Sequence, residues 1–308
     1  MVGTVIFCSL YSLMSIGLTL TYMTTRVPNF AHGSVITLGL YLAYTMFHFW
    51  GISPYLGSPL FFALGGTTAI AIYGLVLRPL AKRGVPLVGL MIATLAVDTV
   101  FLGVVNVYAG YLANVFHVGN SLTIIYFTAD FSIWGIKGLF IMAPLFLLFI
   151  TGGLYLLLTR TKFGIAMRAS VENPNLAGVL GVNVGRVYIV SWFLAGGLAG
   201  IAGSFIPMEA AGSPSTGSDL IVAIFAASIL GGLTNIYGAV AGGIIIGLSD
   251  SLLPTYLAQL LGSWVTAYSG SMPLLIMVAA LLLTPNGVTS VNWRRLFRME
   301  ATVERVRV

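Results

Sequence analysis

The chain has 308 residues, of which 58% are apolar and 7% are charged, whereas an ordinary soluble domain has about 25% charged residues. A single cysteine, Cys8, excludes an internal disulfide and any metal site built from several cysteines. The net charge of +6 would suit a nucleic-acid-binding protein, but the positions of the basic residues indicate membrane topology instead.

Apolar stretches recur along the chain to about residue 284, and a helix of about 20 residues crosses a hydrocarbon core of about 30 Å. Two shorter helices near the C-terminal end, at about 219–232 and 236–253, either cross the membrane once each or form a re-entrant hairpin. The other spans are predicted at about 3–25, 30–50, 58–78, 86–106, 139–159, 187–207 and 271–284. The predicted fold class is therefore all-α: a polytopic transmembrane helical bundle of about 8–9 spans, in a single domain over residues 1–308.

The basic residues predict the orientation of this bundle, because cytoplasmic loops carry an excess of Lys and Arg. Thirteen of the fourteen fall on one side of the predicted spans, and only Lys137 falls on the other. The thirteen are Arg26, Arg78, Lys82, Arg83, Arg160, Lys162, Arg168, Arg186, Arg294, Arg295, Arg298, Arg305 and Arg307. We therefore expect the N-terminus outside, the C-terminus in the cytoplasm, a cytoplasmic loop at about 160–186 and a cytoplasmic tail at 285–308. The outer segment at about 107–138 is the expected surface for an extracytoplasmic partner.

Small residues four apart occur in "FLAGGLAGIAG" and "GAVAGGIIIG", as in Gly196 with Gly200 and Gly243 with Gly247. Such spacing lets two membrane helices approach closely. We favour packing within one chain over a line of contact with a second subunit.

The segment 159–186, "TRTKFGIAMRASVENPNLAGVLGVNVGR", is the conspicuous polar loop of this apolar chain. "GIAMRASVE" has helical composition, and Asn173 before Pro174 is an N-cap followed by the residue favoured at the first helical position. The apolar residues that follow share one face of a short helix, which Gly181 ends in a left-handed conformation. A helix this short is marginal alone in water and needs a surface to pack on. It either folds back on its own bundle or the membrane, or docks on another protein.

The same segment resembles the cytoplasmic loop of the branched-chain amino-acid permeases of ABC importers, the LivH/LivM type. "VPNFAHGSVITLGLYLAY", "FLAGGLAGIAGSF", "ASILGGLTNIYGAVAGGIIIGLSDSLL" and "LLLTPNGV" are similar to other blocks of that family, in the same order. The resemblance spans nearly the whole chain. It implies that the loop holds a coupling helix that contacts an ATP-hydrolysing subunit.

The resemblance implies a contact in which charged residues set the orientation and Leu176 and Leu180 fill a cleft of the ATPase. Gly164 would allow a close backbone approach. The residues implied are Gly164, Arg168, Ala169, Glu172, Asn173, Pro174, Leu176, Ala177, Leu180 and Gly181. The implied partners are a similar or identical second permease, two ATP-binding subunits and an extracytoplasmic substrate-binding protein, in the plasma membrane of a prokaryote. ATP would be bound by the partner subunits, and no cofactor is expected in this chain, which lacks a phosphate-cradling Gly-x-x-x-x-Gly-Lys-Ser/Thr loop.

Ionisable residues at membrane depth point to function. Asn29 and His32 belong to the Asn-Phe-Ala-His-Gly block, and His32 either contributes to the substrate path or caps and packs near a boundary. Asp98 departs from the small or neutral residues of the family; it either lines an aqueous path and attracts a substrate ammonium, or caps a neighbouring helix while protonated. Glu209, Asp219 and Asp250 are interpreted as surface charges at outer span ends. We thus place the translocation path at Asn29, His32 and Asp98.

Neither a catalytic constellation nor histidines spaced for a shared metal are found in the sequence. A stand-alone secondary transporter, which would more often show inverted repeats, is the alternative from another class, and we see no convincing repeat. An intramembrane enzyme would need clustered catalytic groups. The resemblance suggests leucine, isoleucine and valine as substrates, with urea, short amides or other amino acids as alternatives.

Overall fold

A computed structural model describes residues 2–116, 123–126, 129–133 and 135–283. The described part of the chain is helical almost throughout, and two-residue strands at Ser132–Ile133 and Ile136–Lys137 form a small antiparallel pair. The helices are α1 (Val2–Thr25), α2 (His32–Trp50), α3 (Pro54–Ile72), α4 (Arg78–Lys82), α5 (Leu87–Phe116), α6 (Gly138–Arg160), α7 (Lys162–Glu172), α8 (Pro174–Val179), α9 (Val184–Phe205), α10 (Thr216–Gly231), α11 (Ile236–Leu261) and α12 (Met272–Leu283). A π-helical turn, Tyr73–Leu77, joins α3 to α4, and 3-10 turns cover Ile206–Met208 and Ser263–Ser271.

Six helical stretches in the described part of the chain are long and apolar enough to cross a membrane. They are Val2–Thr25, Pro54–Lys82, Leu87–Val115, Gly138–Arg160, Val184–Met208 and Ile236–Leu261. The all-α membrane bundle is thus confirmed, but the predicted number of about 8–9 spans is not. The predicted tail at 285–308 lies outside the described residues.

Burial separates an inner from an outer set of helices. Most of α1 and α9 is buried, whereas α5 and α6 expose large apolar side chains such as Val104, Leu148 and Phe149. Exposed apolar surface of this extent is what acyl chains require of a membrane protein. The core therefore lies around α1, α2, α9 and α10, with α5 and α6 outside it.

Glycines set the contacts of the inner helices, as the small-residue pattern predicts. A β-carbon at Gly203 would collide with the Ile36 carbonyl of α2, and one at Gly243 would collide with Ser12 of α1. Gly196 meets the backbone of Gly65 in α3 in the same way. These contacts lie within the chain, so the favoured interpretation of packing inside one subunit is confirmed.

The basic residues gather at one end of the bundle, which we call the basic end. Arg26 and Arg168 line one cavity there, and Arg78 and Lys82 line another beside the first residues of α9. At the opposite end, the Lys137 Nζ lies 2.7 Å from the Glu209 Oε2, and the Tyr55 hydroxyl donates to the Asp130 Oδ1 at 2.7 Å. Arg26, Arg78, Lys82 and Arg168 thus lie at the end opposite Lys137, as the predicted orientation requires.

Two helices begin in the interior of the bundle rather than at its surface. After α1 the chain turns back, and the Phe30 N–H donates to the Thr94 Oγ1 of α5 at 3.3 Å. The first turn of α10 meets that of α2, where the Gly217 N–H donates to the Thr37 Oγ1 at 3.0 Å. The segment that leads into α2 turns back at the basic end, and the segment that leads into α10 turns back at the opposite end.

The helices around these two starts have an inverted arrangement. α1 runs toward the basic end with α11 antiparallel to it, where the Thr4 and Ser251 hydroxyls lie 2.8 Å apart and the Ser15 Oγ donates to the Ala239 carbonyl at 2.9 Å. α9 runs the other way, with α3 packed antiparallel along it. The pair α1–α11 thus has its counterpart in α9–α3. The sequence reasoning found no such repeat.

Two predicted elements differ from the structure. The helix predicted at 236–253 is not short: α11 continues to Leu261 through Pro254, because neighbouring helices allow proline inside a membrane helix. The outer segment predicted from 107 is helical to Phe116, which extends α5 by about ten residues. Residues 219–253, predicted as two short crossings or a re-entrant hairpin, thus contain one short helix, α10, and most of one full-length helix, α11.

Candidate functional sites at α7–α8 and at Asp98

Side-chain caps fix both helices of the polar loop. The Thr161 Oγ1 accepts a hydrogen bond from the Gly164 N–H at 3.2 Å, which starts α7. The Asn173 Oδ1 accepts from the Leu176 N–H at 3.0 Å, which starts α8 with Pro174 at its first position. Gly181 has φ +86°, as the predicted left-handed stop requires. The predicted helix, break and second helix are confirmed.

Contacts with α6 and with the end of α1 anchor this α7–α8 unit to the bundle. A β-carbon at Gly164 would collide with the Leu158 backbone of α6, so the close approach at Gly164 is to the chain itself. The Arg168 guanidinium donates to the Leu158 carbonyl, and Ala177 is buried. The Arg26 Nη2 reaches the Val171 carbonyl at 3.5 Å, so the ends of α1 and α7 are in contact.

The outer face of α8 is apolar and exposed. The exposed fractions are 56% for Leu176, 84% for Val179 and 74% for Leu180. The predicted contact residues Arg168, Glu172, Asn173, Pro174 and Gly181 are exposed as well, and Ala169 is half-buried. Sequence reasoning left Val179 out of the contact set, although it follows Leu176 by three positions on the same helix.

Asp98 accepts hydrogen bonds from both helices that begin in the interior. The Ser34 hydroxyl of α2 donates to the Asp98 Oδ1 at 2.5 Å, and the Ser218 hydroxyl of α10 donates to the Oδ2 at 2.9 Å. Each serine is the third residue of its helix. Asp98 itself is half-buried, and Asp219, the residue after Ser218, is exposed. We call Asp98, Ser34 and Ser218 the Asp98 cluster.

The other two predicted path residues are buried in the packing. The His32 Nε2 lies 3.0 Å from the Met14 carbonyl in the middle of α1, and the imidazole also contacts Gly17. Asn29 is almost fully buried, and its Oδ1 has no hydrogen-bond partner among the described residues. The structure therefore does not bring His32 into the Asp98 cluster.

Sequence reasoning missed Ser34 and Ser218. The signal that could have found them is the repeated Gly-Ser pair, Gly33-Ser34 and Gly217-Ser218, near the start of each helix. Glu209 and Asp250 are also more than surface charges, because Glu209 pairs with Lys137 and Asp250 accepts from the Tyr11 hydroxyl at 2.8 Å. Within the described ranges, no three His, Cys, Asp or Glu side chains are grouped as metal ligands.

Known proteins resemble the chain from end to end. The family model described as "branched-chain amino acid transport system / permease component" matches residues 1–281. The chain belongs to this permease family. It is therefore a transport subunit and a multi-pass protein of the cell membrane.

Two curated relatives show how far the likeness to this permease extends. A probable branched-chain amino acid transport permease protein LivH of Methanocaldococcus jannaschii is 44% identical over 301 residues, which cover 97% of this chain and 95% of the relative. The LivH permease protein of the high-affinity branched-chain amino acid transport system of Escherichia coli K12 is 27% identical, with 91% of each chain covered.

The name of a third relative gives a different substrate. The ribose import permease protein RbsC of Bacillus subtilis is 32% identical over 168 residues, which cover 51% of this chain and 49% of the relative. No solved structure gives a significant match to the chain.

Proposed function

We propose that this permease is the membrane-spanning subunit of an ABC importer for branched-chain amino acids, driven by separate ATPase subunits that contact α7 and α8. The observation that carries the proposal is the exposed apolar face of α8, Leu176, Val179 and Leu180, on a capped and anchored unit at the basic end. Such a face needs a covering surface. The ATP would be bound and hydrolysed by the partner subunits.

The proposed orientation puts the basic end in the cytoplasm, with the N-terminus outside and the C-terminus inside. The gathering of Arg26, Arg78, Lys82 and Arg168 at one end supports it, because positive residues stay on the cytoplasmic side. The end that carries Lys137 and Glu209 would then face a substrate-binding protein outside the cell. Residues 1–308 would form one permease domain.

The translocation path would run along the flank of α5 and α10 that carries the Asp98 cluster, where a second, similar or identical permease covers it. Two carboxylates, Asp98 and Asp219, lie on this flank with part of their surface accessible. Acyl chains cannot solvate a carboxylate, so this flank suits water, substrate or another subunit. The Asp98 carboxylate would attract the ammonium group of an amino acid, while Asn29 and His32 would support the nearby helix start from within the core.

ATP-driven closure of the ATPase pair would move α7 and α8 as a unit. Two contacts would carry this movement into the bundle: Arg168 on the end of α6, and Arg26 between α7 and the end of α1. Arg26 directly precedes the segment that leads to α2 and the Asp98 cluster. Alternating access would follow from the swing of these helices at the interface between the two permeases.

Substitution of Leu180 by Glu tests the coupling role of α8. We expect stimulation of the partner ATPase to fall at least ~10-fold, because a carboxylate without a partner would be buried in the contact. Ile165→Glu is the matched control, since Ile165 is an exposed apolar residue of α7 outside the predicted contact set. Equal loss in both variants, or no loss with Leu180→Glu, would overturn the assignment.

A further inference from the structure

A cavity of about 390 Å³ opens at the basic end between α3–α4, the start of α5 and the start of α9. Its walls combine two cations, Arg78 and Lys82, with apolar and tyrosine side chains. The other lining residues are Thr25, Val27, Tyr73, Leu77, Ala81, Leu90, Val184, Gly185 and Tyr188. The cavity is separate from the α7–α8 unit and from the Asp98 cluster.

Within the described ranges, the positive charge of this cavity has no carboxylate to balance it. The salt bridge found within the described ranges joins Lys137 to Glu209, at the end of the bundle opposite this cavity. Glu172, which lies at the basic end, lines the other cavity with Arg26 and Arg168. Asp98, Asp130, Asp219 and Asp250 accept hydrogen bonds from hydroxyl groups elsewhere. An anion is therefore the natural ligand of Arg78 and Lys82.

The apolar surface next to the two cations favours an anion that carries an apolar group. Leu87 and Val88, at the start of α5, are exposed and apolar next to Leu90 of the cavity wall. In a membrane this outer surface meets acyl chains. Tyrosine rings such as Tyr73 and Tyr188 prefer the headgroup level, and basic pockets between membrane helices bind lipid head groups.

From this combination we infer that the cavity binds the head group of an anionic phospholipid in the leaflet at the basic end. The lipid phosphate lies between Arg78 and Lys82, beside the first turn of α9, and its acyl chains follow the exposed face of α5. Gly185 leaves the necessary space, because a β-carbon there would meet no atom closer than 3.5 Å, and the Arg78 Nη2 would lie 3.9 Å from it. The inference is independent of the transported substrate.

The test is lipid binding to the purified full-length protein in detergent, followed by native mass spectrometry with phosphatidylglycerol and phosphatidylcholine. The wild type should prefer phosphatidylglycerol at least ~10-fold. Each basic residue near a membrane contributes about a factor of five, so the Arg78→Gln/Lys82→Gln variant should bind phosphatidylglycerol roughly 30-fold more weakly. Arg160→Gln/Lys162→Gln is the matched control, because it removes two charges at the same end outside the cavity.

A second variant, Gly185→Leu, fills the cavity and retains every charge, so it should also weaken phosphatidylglycerol binding. Unchanged thermal stability would show that either variant still folds. Equal weakening in the Arg160/Lys162 control, or full binding to Gly185→Leu, would overturn the site. Displacement of the lipid by glycerol phosphate at equal concentration, or by added ATPase subunits whose assembly needs Arg78 and Lys82, would also overturn it in favour of a soluble anion or a protein partner.

Discussion

Asp98 is a half-buried carboxylate in a membrane helix, and its two hydroxyl donors help to explain how it is tolerated there. A charge at the centre of a membrane helix costs about 2.5 to 3.5 kcal/mol on insertion scales. Hydrogen bonds between membrane helices average about 0.6 kcal/mol each, so Ser34 and Ser218 offset part of that cost. The remainder has to be balanced by a polar neighbour, which is why we assign Asp98 to the path.

Substitution of Asp98 by Asn tests this assignment. The amide retains a hydrogen-bond acceptor for one serine but removes the charge, so we expect the transport rate to fall at least ~10-fold while the protein still assembles with its partners. Asp250→Asn is the control, because that carboxylate also has a hydroxyl partner, Tyr11, but belongs to α11 and not to the Asp98 cluster. A normal transport rate with Asp98→Asn would move the path away from this cluster.

Asn173 is a second residue whose effect can be isolated. Loss of an N-cap costs about 1 kcal/mol, so Asn173→Ala should make hydrogen exchange at the Leu176 amide about five times faster. Asn183→Ala removes the equivalent cap of α9, on the Arg186 amide, and should leave Leu176 unchanged. No change at Leu176 with Asn173→Ala would show that the cap does not hold α8.

At the scale of elements, the inner helices depend on backbone contacts that only glycine permits. Gly203→Val would force α9 away from the Ile36 carbonyl of α2, and overpacking costs about 1 to 3 kcal/mol. We therefore expect a clearly lower thermal midpoint in detergent. Gly152→Val in α6 is the matched control, since the new β-carbon would meet no atom of a neighbouring element within 4 Å. Similar midpoints for the two variants would contradict the packing described for α2 and α9.

The sequence predicts elements well where the signal is local. Asn173, Pro174 and Gly181 determine α8 within a few residues of one another, and their caps and stop are found as expected. The interior starts of α2 and α10 were not predictable in this way. The Asp98 cluster joins residues that are 64 and 120 positions apart, and hydrophobic periodicity carries no information on how deep a helix begins.

At the scale of the whole molecule, the inverted arrangement of α1–α11 and α9–α3 removes one sequence-based argument against a stand-alone secondary transporter. A missing repeat had counted against a stand-alone secondary transporter, because such transporters are often built from inverted repeats. The structure shows an inverted arrangement, so the distinction rests on the permease family and on the α7–α8 unit instead. Partner dependence is consequently the property to measure.

Orientation is a further property of the whole molecule that can be measured directly. Cys8 is the only cysteine and is buried, so a Cys8→Ser background permits site-specific labelling. We expect a membrane-impermeant maleimide to label Ile136→Cys in intact cells and Leu180→Cys only in inverted vesicles. Both positions are exposed, at opposite ends of the bundle. The reverse pattern would show that the basic end faces outward.

The most direct test of the account is uptake of radiolabelled leucine into proteoliposomes that contain this permease. We predict ATP-dependent uptake only when the ATPase subunits and the substrate-binding protein are present, and loss of that uptake with Leu180→Glu but not with Ile165→Glu. Uptake by the permease alone, driven by an ion gradient and unaffected by Leu180→Glu, would contradict the account.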